Sequence, residues 1–177
     1  ITALLMVASL GTTVNASILD KKHEQLIGRD RYETATMVAK KLGQYKRVIL
    51  VNGMADGLSA ASLAGKVGAT IIPVKTDSIP DSAKPVIAKA HEVYIIGGYN
   101  AISKKVENSL SGKKIIRISG KDRCETSIKV ANKVAPYNRA YIVNGFRGEA
   151  DAMSISAVAA RDGAPIILTN GKTCNLK

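Results

Sequence analysis

One short stretch is written twice in this chain. Gly28-Arg29-Asp30-Arg31-Tyr32-Glu33-Thr34 returns 92 residues later as Gly120-Lys121-Asp122-Arg123-Cys124-Glu125-Thr126. From Gly28 to Gly53 against Gly120 to Gly145, 13 of 26 positions are identical without a gap. Identity at that density is an internal repeat, and it constrains the fold more than any local propensity, because one supersecondary unit must be built twice. In 177 residues this means two small units rather than one large domain. The expectation is a complete repeat over 25–114 and a truncated one over 115–177.

Within a copy, two kinds of apolar pattern alternate. Gln25 to Ile27 reads as the end of a strand. Asp30 followed by Glu33 is a reciprocal helix-capping pattern, Val38, Ala39 and Leu42 continue a helical stripe, and Gly43 closes it. Arg47 to Val51 is a continuous apolar run before Asn52-Gly53, the pattern of a strand buried on both faces. A helix follows over 56–66, a strand over 70–74, and a helix over 80–90 opened by Ser78 or Asp81, with Pro85 inside it. Then come a strand over 93–96 ending in Gly97-Gly98, a helix over 103–110, and a strand over 115–118 leading into the second copy, whose own later strand runs over 166–168. Strict strand-helix alternation predicts an α/β fold of tandem repeats, each a mostly parallel sheet covered by helices on both faces. All strand-to-helix loops then gather at the C-terminal edge of the sheet.

That edge collects the candidate binding residues. Arg29 and Arg31, with Lys121 and Arg123, put cations at helix mouths whose unpaired amides and dipole favour an anion. A phosphate or carboxylate could take a forked contact from Arg31 or Arg123; equally, Arg31 could pair with Asp30, Glu33 or Asp56 and lock the loop. Glu33 and Glu125 read as capping partners, and Thr34 and Thr126 fit either role. Asn52-Gly53 recurs as Asn144-Gly145, and Asp56-Gly57-Leu58-Ser59 as Asp151-Ala152-Met153-Ser154. Each joins a turn to a helix start, and Asn52 and Asn144 are also placed to meet a ligand.

The net charge of +12 narrows the partner. Such a surface concentrates polyanions: nucleic acid, anionic lipid or an anionic wall polymer. Residues 1–16 carry no charge and end in Val14-Asn15-Ala16, which reads as the remnant of a secretory signal, with 17–24 a polar leader. The stretch is too short to span a membrane. Export argues against nucleic acid. Aromatic residues are scarce at 4%, which argues against a sugar site built mainly from stacked rings. Two cysteines, Cys124 and Cys174, are too few for a disulfide-stapled scaffold, and Cys124 stands where the first copy has Tyr32.

Nothing points to catalysis. There is no phosphate loop ending in Gly-Lys-Ser/Thr and no dinucleotide fingerprint, so no cofactor is expected. His23 and His91 recur in neither copy and have no partner spacing for a metal site or a triad.

Taken in order, Arg/Lys-Asp-Arg-Tyr-Glu-Thr, the Asn-Gly strand end, Asp-x-Leu/Met-Ser and Ile-Ile-Gly-Gly resemble the type-two cell-wall-binding repeat of clostridial and bacillar surface proteins. The resemblance covers nearly everything after the leader. It implies export, followed by non-covalent anchoring to an anionic polysaccharide or teichoic-type polymer of the Gram-positive wall. It also implies further parts: a third copy packed with these two, and an effector such as an autolysin, protease or adhesin. The rival reading is a segment of a wall hydrolase, an amidase-like autolysin whose catalytic domain is absent here. Residues 115–177 are expected to be looser than 25–114, since the second sheet would lack its later strands.

Overall fold

The computed structural model describes residues 25–147 and 149–172; the signal remnant, the leader and Cys174 lie outside the described residues. The first copy holds α1 (Arg31–Leu42), β1 (Arg47–Val51), α2 (Met54–Ser59), α3 (Ala61–Val67), β2 (Ala69–Pro73), α4 (Lys84–Ala88), β3 (Glu92–Ile96) and α5 (Lys104–Asn108). Then follow β4 (Lys114–Ile118), α6 (Arg123–Val134), β5 (Tyr141–Asn144), α7 (Glu149–Asp162) and β6 (Ile166–Thr169).

Local chemistry fixes these boundaries. Asp30 caps α1 by accepting from the Tyr32 and Glu33 amides at 2.9 and 2.8 Å, and Gly43 ends it with a left-handed-side φ of 78°. The helix expected from residue 56 starts at Met54, with Gly53 as its cap, so Asp56 falls inside the first turn and does not cap. The helix expected over 80–90 contracts to α4, because Pro85 has no N–H to donate and is tolerated only in the first turn. Neither Ser78 nor Asp81 caps it; Asp81 pairs with Lys84 at 2.7 Å. The helix over 103–110 likewise contracts to α5. Residues 25–27 form no strand. Their counterpart in the second copy falls in β4 and its end, and β4 is held by β3 of the preceding copy.

The first sheet has the order β2-β1-β3-β4, all parallel, with Arg47 opposite Glu92 and Glu92 opposite Lys114. Thus β4 heads the second sequence repeat yet completes the first sheet. β5 and β6 form a second parallel pair.

Both faces of the first sheet are covered. On one, Ala39 of α1, Val86 and Ile87 of α4, and Ile102 and Val106 pack against Val48, Leu50, Val93 and Ile95. On the other, Ala60 and Leu63 share the cover with Val130 and Val134 of α6, over Ile49, Val51, Tyr94, Ile96 and Ile118. A helix from the second copy therefore supplies part of the first core. Val130 and Val134 are 0% and 1% exposed, and burial of a valine side chain stabilises by about 1.5–3 kcal/mol. The same helix reaches the second sheet, where the Leu168 amide donates to Ser127 Oγ at 2.9 Å. Lys66 of α3 donates its ammonium to the Val134 and Ala135 carbonyls, placing a cation at the negative end of α6. The residues of α1 that correspond to Val130 and Val134 are Val38 and Leu42, and these are 41% and 62% exposed.

Candidate functional site

The repeated motif folds into the same small cage in both copies. The Gly28 amide donates to Thr34 Oγ1 at 3.0 Å, and the Arg29 amide to Glu33 Oε2 at 2.7 Å. In the second copy Gly120 donates to Thr126 at 2.9 Å and Lys121 to Glu125 at 3.0 Å. The chain doubles back so tightly that a Cβ on Gly28 would lie 2.5 Å from the Thr34 amide nitrogen, and one on Gly120 2.5 Å from Glu125 Cβ. Only glycine fits there. Glu33 and Glu125 are thus capping partners, although each reaches the amide one residue before the cap. Their carboxyls are held below the usual range, Glu33 by Arg29 and Glu125 by the Lys121 amide and then Lys129.

This cage alters the expected anion contact. Three of the helix-mouth amides are taken by the caps: Asp30 accepts from those of Tyr32 and Glu33, and Asp122 from that of Glu125 at 2.8 Å. The cationic side chains lie beyond these capped amides.

The two copies place those cations differently. Arg29 pairs with Glu33 at 3.0 Å and, with Lys75, borders a depression on the first copy. Arg31 donates to the Tyr32 hydroxyl at 2.8 Å and sits 4.9 Å from that ring's centre. Arg123 instead donates to the Gly145 carbonyl at 2.7 Å and lies 4.8 Å from the centre of the Phe146 ring. Among the described residues its guanidinium makes no other hydrogen bond.

Arg123, Lys121 and Thr126 wall a cleft of about 600 Å³. Gly120 and Asp122 join them from the same loop, and the other walls are Gly53 to Asp56, which follow β1, and Gly97 to Ala101, which follow β3. In the order β2-β1-β3-β4 the connections run in opposite directions from β1 and β3, and ligands of open parallel sheets bind in the crevice outside that switch point. The second copy closes the crevice with the loop after β4.

Two acidic residues, Asp56 and Asp122, share this cleft with the cations; Asp122 is the cap of α6, and Asp56 comes from α2. Burial pushes its carboxyl above the usual range, and the Arg123 charge pulls it partly back. It comes this far in because Gly97, at φ 111°, has no side chain; a Cβ there would stand 3.1 Å from Asp56 Oδ2. Gly97 thus permits the close approach of Asp56.

Of the eight predicted residues, Lys121, Arg123 and Thr126 share this cleft, whereas Arg29, Arg31 and Thr34 lie around the first copy's motif. Asn52 stands between loops, donating to Thr76 Oγ1 at 2.9 Å and to the Ala101 carbonyl at 2.7 Å. Asn144 accepts from the Phe146 and Arg147 amides at 2.9 and 3.1 Å and shapes the turn after β5. Asp56 was anticipated as a cap or an arginine partner, not as a cleft wall. Tyr99 and Arg117 were not anticipated at all, though Tyr99 directly follows the Gly97-Gly98 strand end that marks the edge. Among the described residues no group of three His, Cys, Asp or Glu could hold a metal ion, and no helix is long and apolar enough to cross a membrane.

Known proteins resemble this chain in sequence and fold. The chain is 38% identical over 154 residues to the amidase enhancer of Bacillus subtilis (strain 168), covering 82% of this chain and 21% of that protein. It is 31% identical over 169 residues to N-acetylmuramoyl-L-alanine amidase LytC of the same organism, covering 92% of this chain and 34% of that one. Among solved structures, Cwp6 from Clostridium difficile superposes with a TM-score of 0.78 at 36% identity, covering 85% of this chain and 25% of that one. Cwp8 from the same organism gives 0.77 at 40%, covering 81% and 27%. The chain thus spans about a fifth to a third of the length of these relatives. The family model of cell wall binding domain 2 matches residues 25–107 and 117–177, one match for each copy of the repeat, so the chain belongs to the cell wall binding domain 2 family.

Proposed function

We propose that this chain anchors a secreted protein non-covalently to an anionic polymer of the Gram-positive wall, with the cleft outside β1, β3 and β4 as a principal contact. The observation that carries the reading is the position of Lys121 and Arg123, two cations of the second copy at the switch-point crevice of the first copy's sheet. The net charge of +12 supports it, because a basic surface raises the local concentration of a polyanion before any specific contact forms. Arg29 and Arg31 extend the basic edge across the first copy, Thr34 and Thr126 hold the cages that aim the cations, and Asn52 and Asn144 hold the neighbouring loops. Val38 and Leu42, exposed where their counterparts in α6 are buried, support a further copy docking on α1 as α6 docks on α2 and α3.

Binding to purified walls is expected to weaken steeply as salt rises, since exposed charge contacts are screened. The double variant Arg31→Ala with Arg123→Ala is expected to weaken it about tenfold, the scale of one lost charge-assisted contact. Binding indifferent to both salt and the double variant would overturn the electrostatic mechanism.

A second reading keeps the anchor and adds an attached activity. It is supported by the names of the two relatives, an amidase enhancer and an amidase. In that reading the chain is the wall-binding segment of a hydrolase-associated protein. Peptidoglycan turnover by the full 177-residue chain would place catalysis in the chain itself; binding without turnover leaves it with an effector.

A further inference from the structure

Tyr99 is an exposed ring in a polar cleft. It is 52% exposed and belongs to neither packed core of the first sheet, so burial does not explain its position. It is nonetheless held in place. The Arg117 guanidinium lies 4.3 Å from the ring centre. Arg117 is itself fixed, with Nε on Glu107 at 2.8 Å, Nη1 on the Gly97 carbonyl at 2.8 Å, and a side chain only 13% exposed. An arginine stacked on an aromatic face fixes that ring in place. Tyr99, so held, lines the same cleft as the Asp56 and Asp122 carboxylates and the Lys121 and Arg123 cations.

A bare polyanion would use the cations and leave the ring wet. A pyranose uses all three groups. One face of the sugar presents C–H groups of slight positive charge, which suit the negative face of an aromatic ring. Its hydroxyls donate to a carboxylate, and an acidic substituent meets the lysine and arginine. The low aromatic content of the chain does not oppose this, because a single fixed ring is enough.

We infer that Tyr99 is a ring-stacking, specificity-determining residue, and that the cleft takes a pyranose bearing a phosphate or carboxylate in preference to a polyanion without sugar rings. This rests on the anchoring function proposed for the same cleft.

The test uses the full chain and three soluble probes at matched charge: a glycosyl-phosphate oligomer, an oligouronate, and sugar-free poly(glycerol phosphate). At least one of the sugar-bearing probes is expected to bind tighter than poly(glycerol phosphate), and which one identifies the acidic group. Tyr99→Leu is expected to weaken that probe about tenfold, the scale of one aromatic stacking contact. It should weaken poly(glycerol phosphate) binding far less than it weakens that probe, while loss of the contact with Arg117 lowers the thermal midpoint only slightly. Tyr99→Phe should retain the preference, since it keeps the ring. If Tyr99→Leu costs nothing while Arg123→Ala still weakens every probe, stacking is overturned and the electrostatic anchor stands. If the chain binds walls but Arg123→Ala changes no probe, both the cleft contact and the stacking fail together. Equal affinity for all three probes overturns the preference directly.

Discussion

A helix N-terminus leaves amides without partners, and in the two repeated motifs the caps fill three of them from within. Asp30 accepts from two amides and Asp122 from one, a contact of about 1 kcal/mol in typical helices. The motif's Gly, Asp, Glu and Thr are engaged in the cage itself, whereas Lys121 and Arg123 line the cleft, where we propose that they meet the ligand. Asp56 has the opposite character. Its carboxyl titrates above the usual range because burial disfavours the charge, against the pull of Arg123. A raised folded-state pKa means that the protonated group favours folding, and that this advantage is lost as pH rises through the folded value. Asp56→Asn should therefore raise the thermal midpoint at neutral pH, with the difference closing as pH falls into the ordinary carboxylate range. A midpoint lower than wild type at neutral pH would mean that Asp56 is a net stabiliser. A group that costs stability at a cleft is a common mark of function.

At the scale of elements, Glu92 ties three strands together. It pairs with Arg47 of β1 at 2.6 Å and Lys114 of β4 at 2.8 Å, directly across the register. The Lys114 and then the Arg47 hydrogen bonds hold its carboxyl below the usual range. The sign is now reversed: the stabilisation is present above the ordinary glutamate value and disappears as pH falls through the depressed one. Glu92→Gln should be less stable than wild type at neutral pH, and the gap should shrink on acidification below about pH 4. A gap that does not change with pH would show that the ion pairs add nothing beyond packing.

These strands were legible in the sequence because a fully buried parallel strand is an unbroken apolar run, as Val48 to Val51 and Val93 to Ile96 show. α1 and α6 were legible from their caps. The short helices α4 and α5 were overextended, because an apolar stripe does not reveal where a proline or a tertiary contact stops a helix. The basic loops were legible as a set, since alternation alone sends them to one edge. Their division between two places was not, because it depends on how the copies pack. The Tyr99–Arg117 stack joins residues 18 apart on different elements, which no periodicity marks.

For the molecule as a whole, α6 belongs to two cores at once, so the period of the sequence is not the unit of folding. A fragment ending at residue 114 would lose the last strand of its own sheet and the helix over Ile49, Tyr94 and Ile96. It would present an unpaired β3 edge beside an uncovered apolar face, the combination that drives edge-to-edge association. A fragment spanning 25–134 keeps both. The longer piece should unfold in one cooperative urea transition, and the shorter should aggregate or show none. Equal midpoints for the two would mean that each copy folds alone. In engineering terms, the exchangeable part runs from one motif through the helix of the next, so a graft of this anchor must carry 20 residues beyond the 114 that its own repeat would suggest.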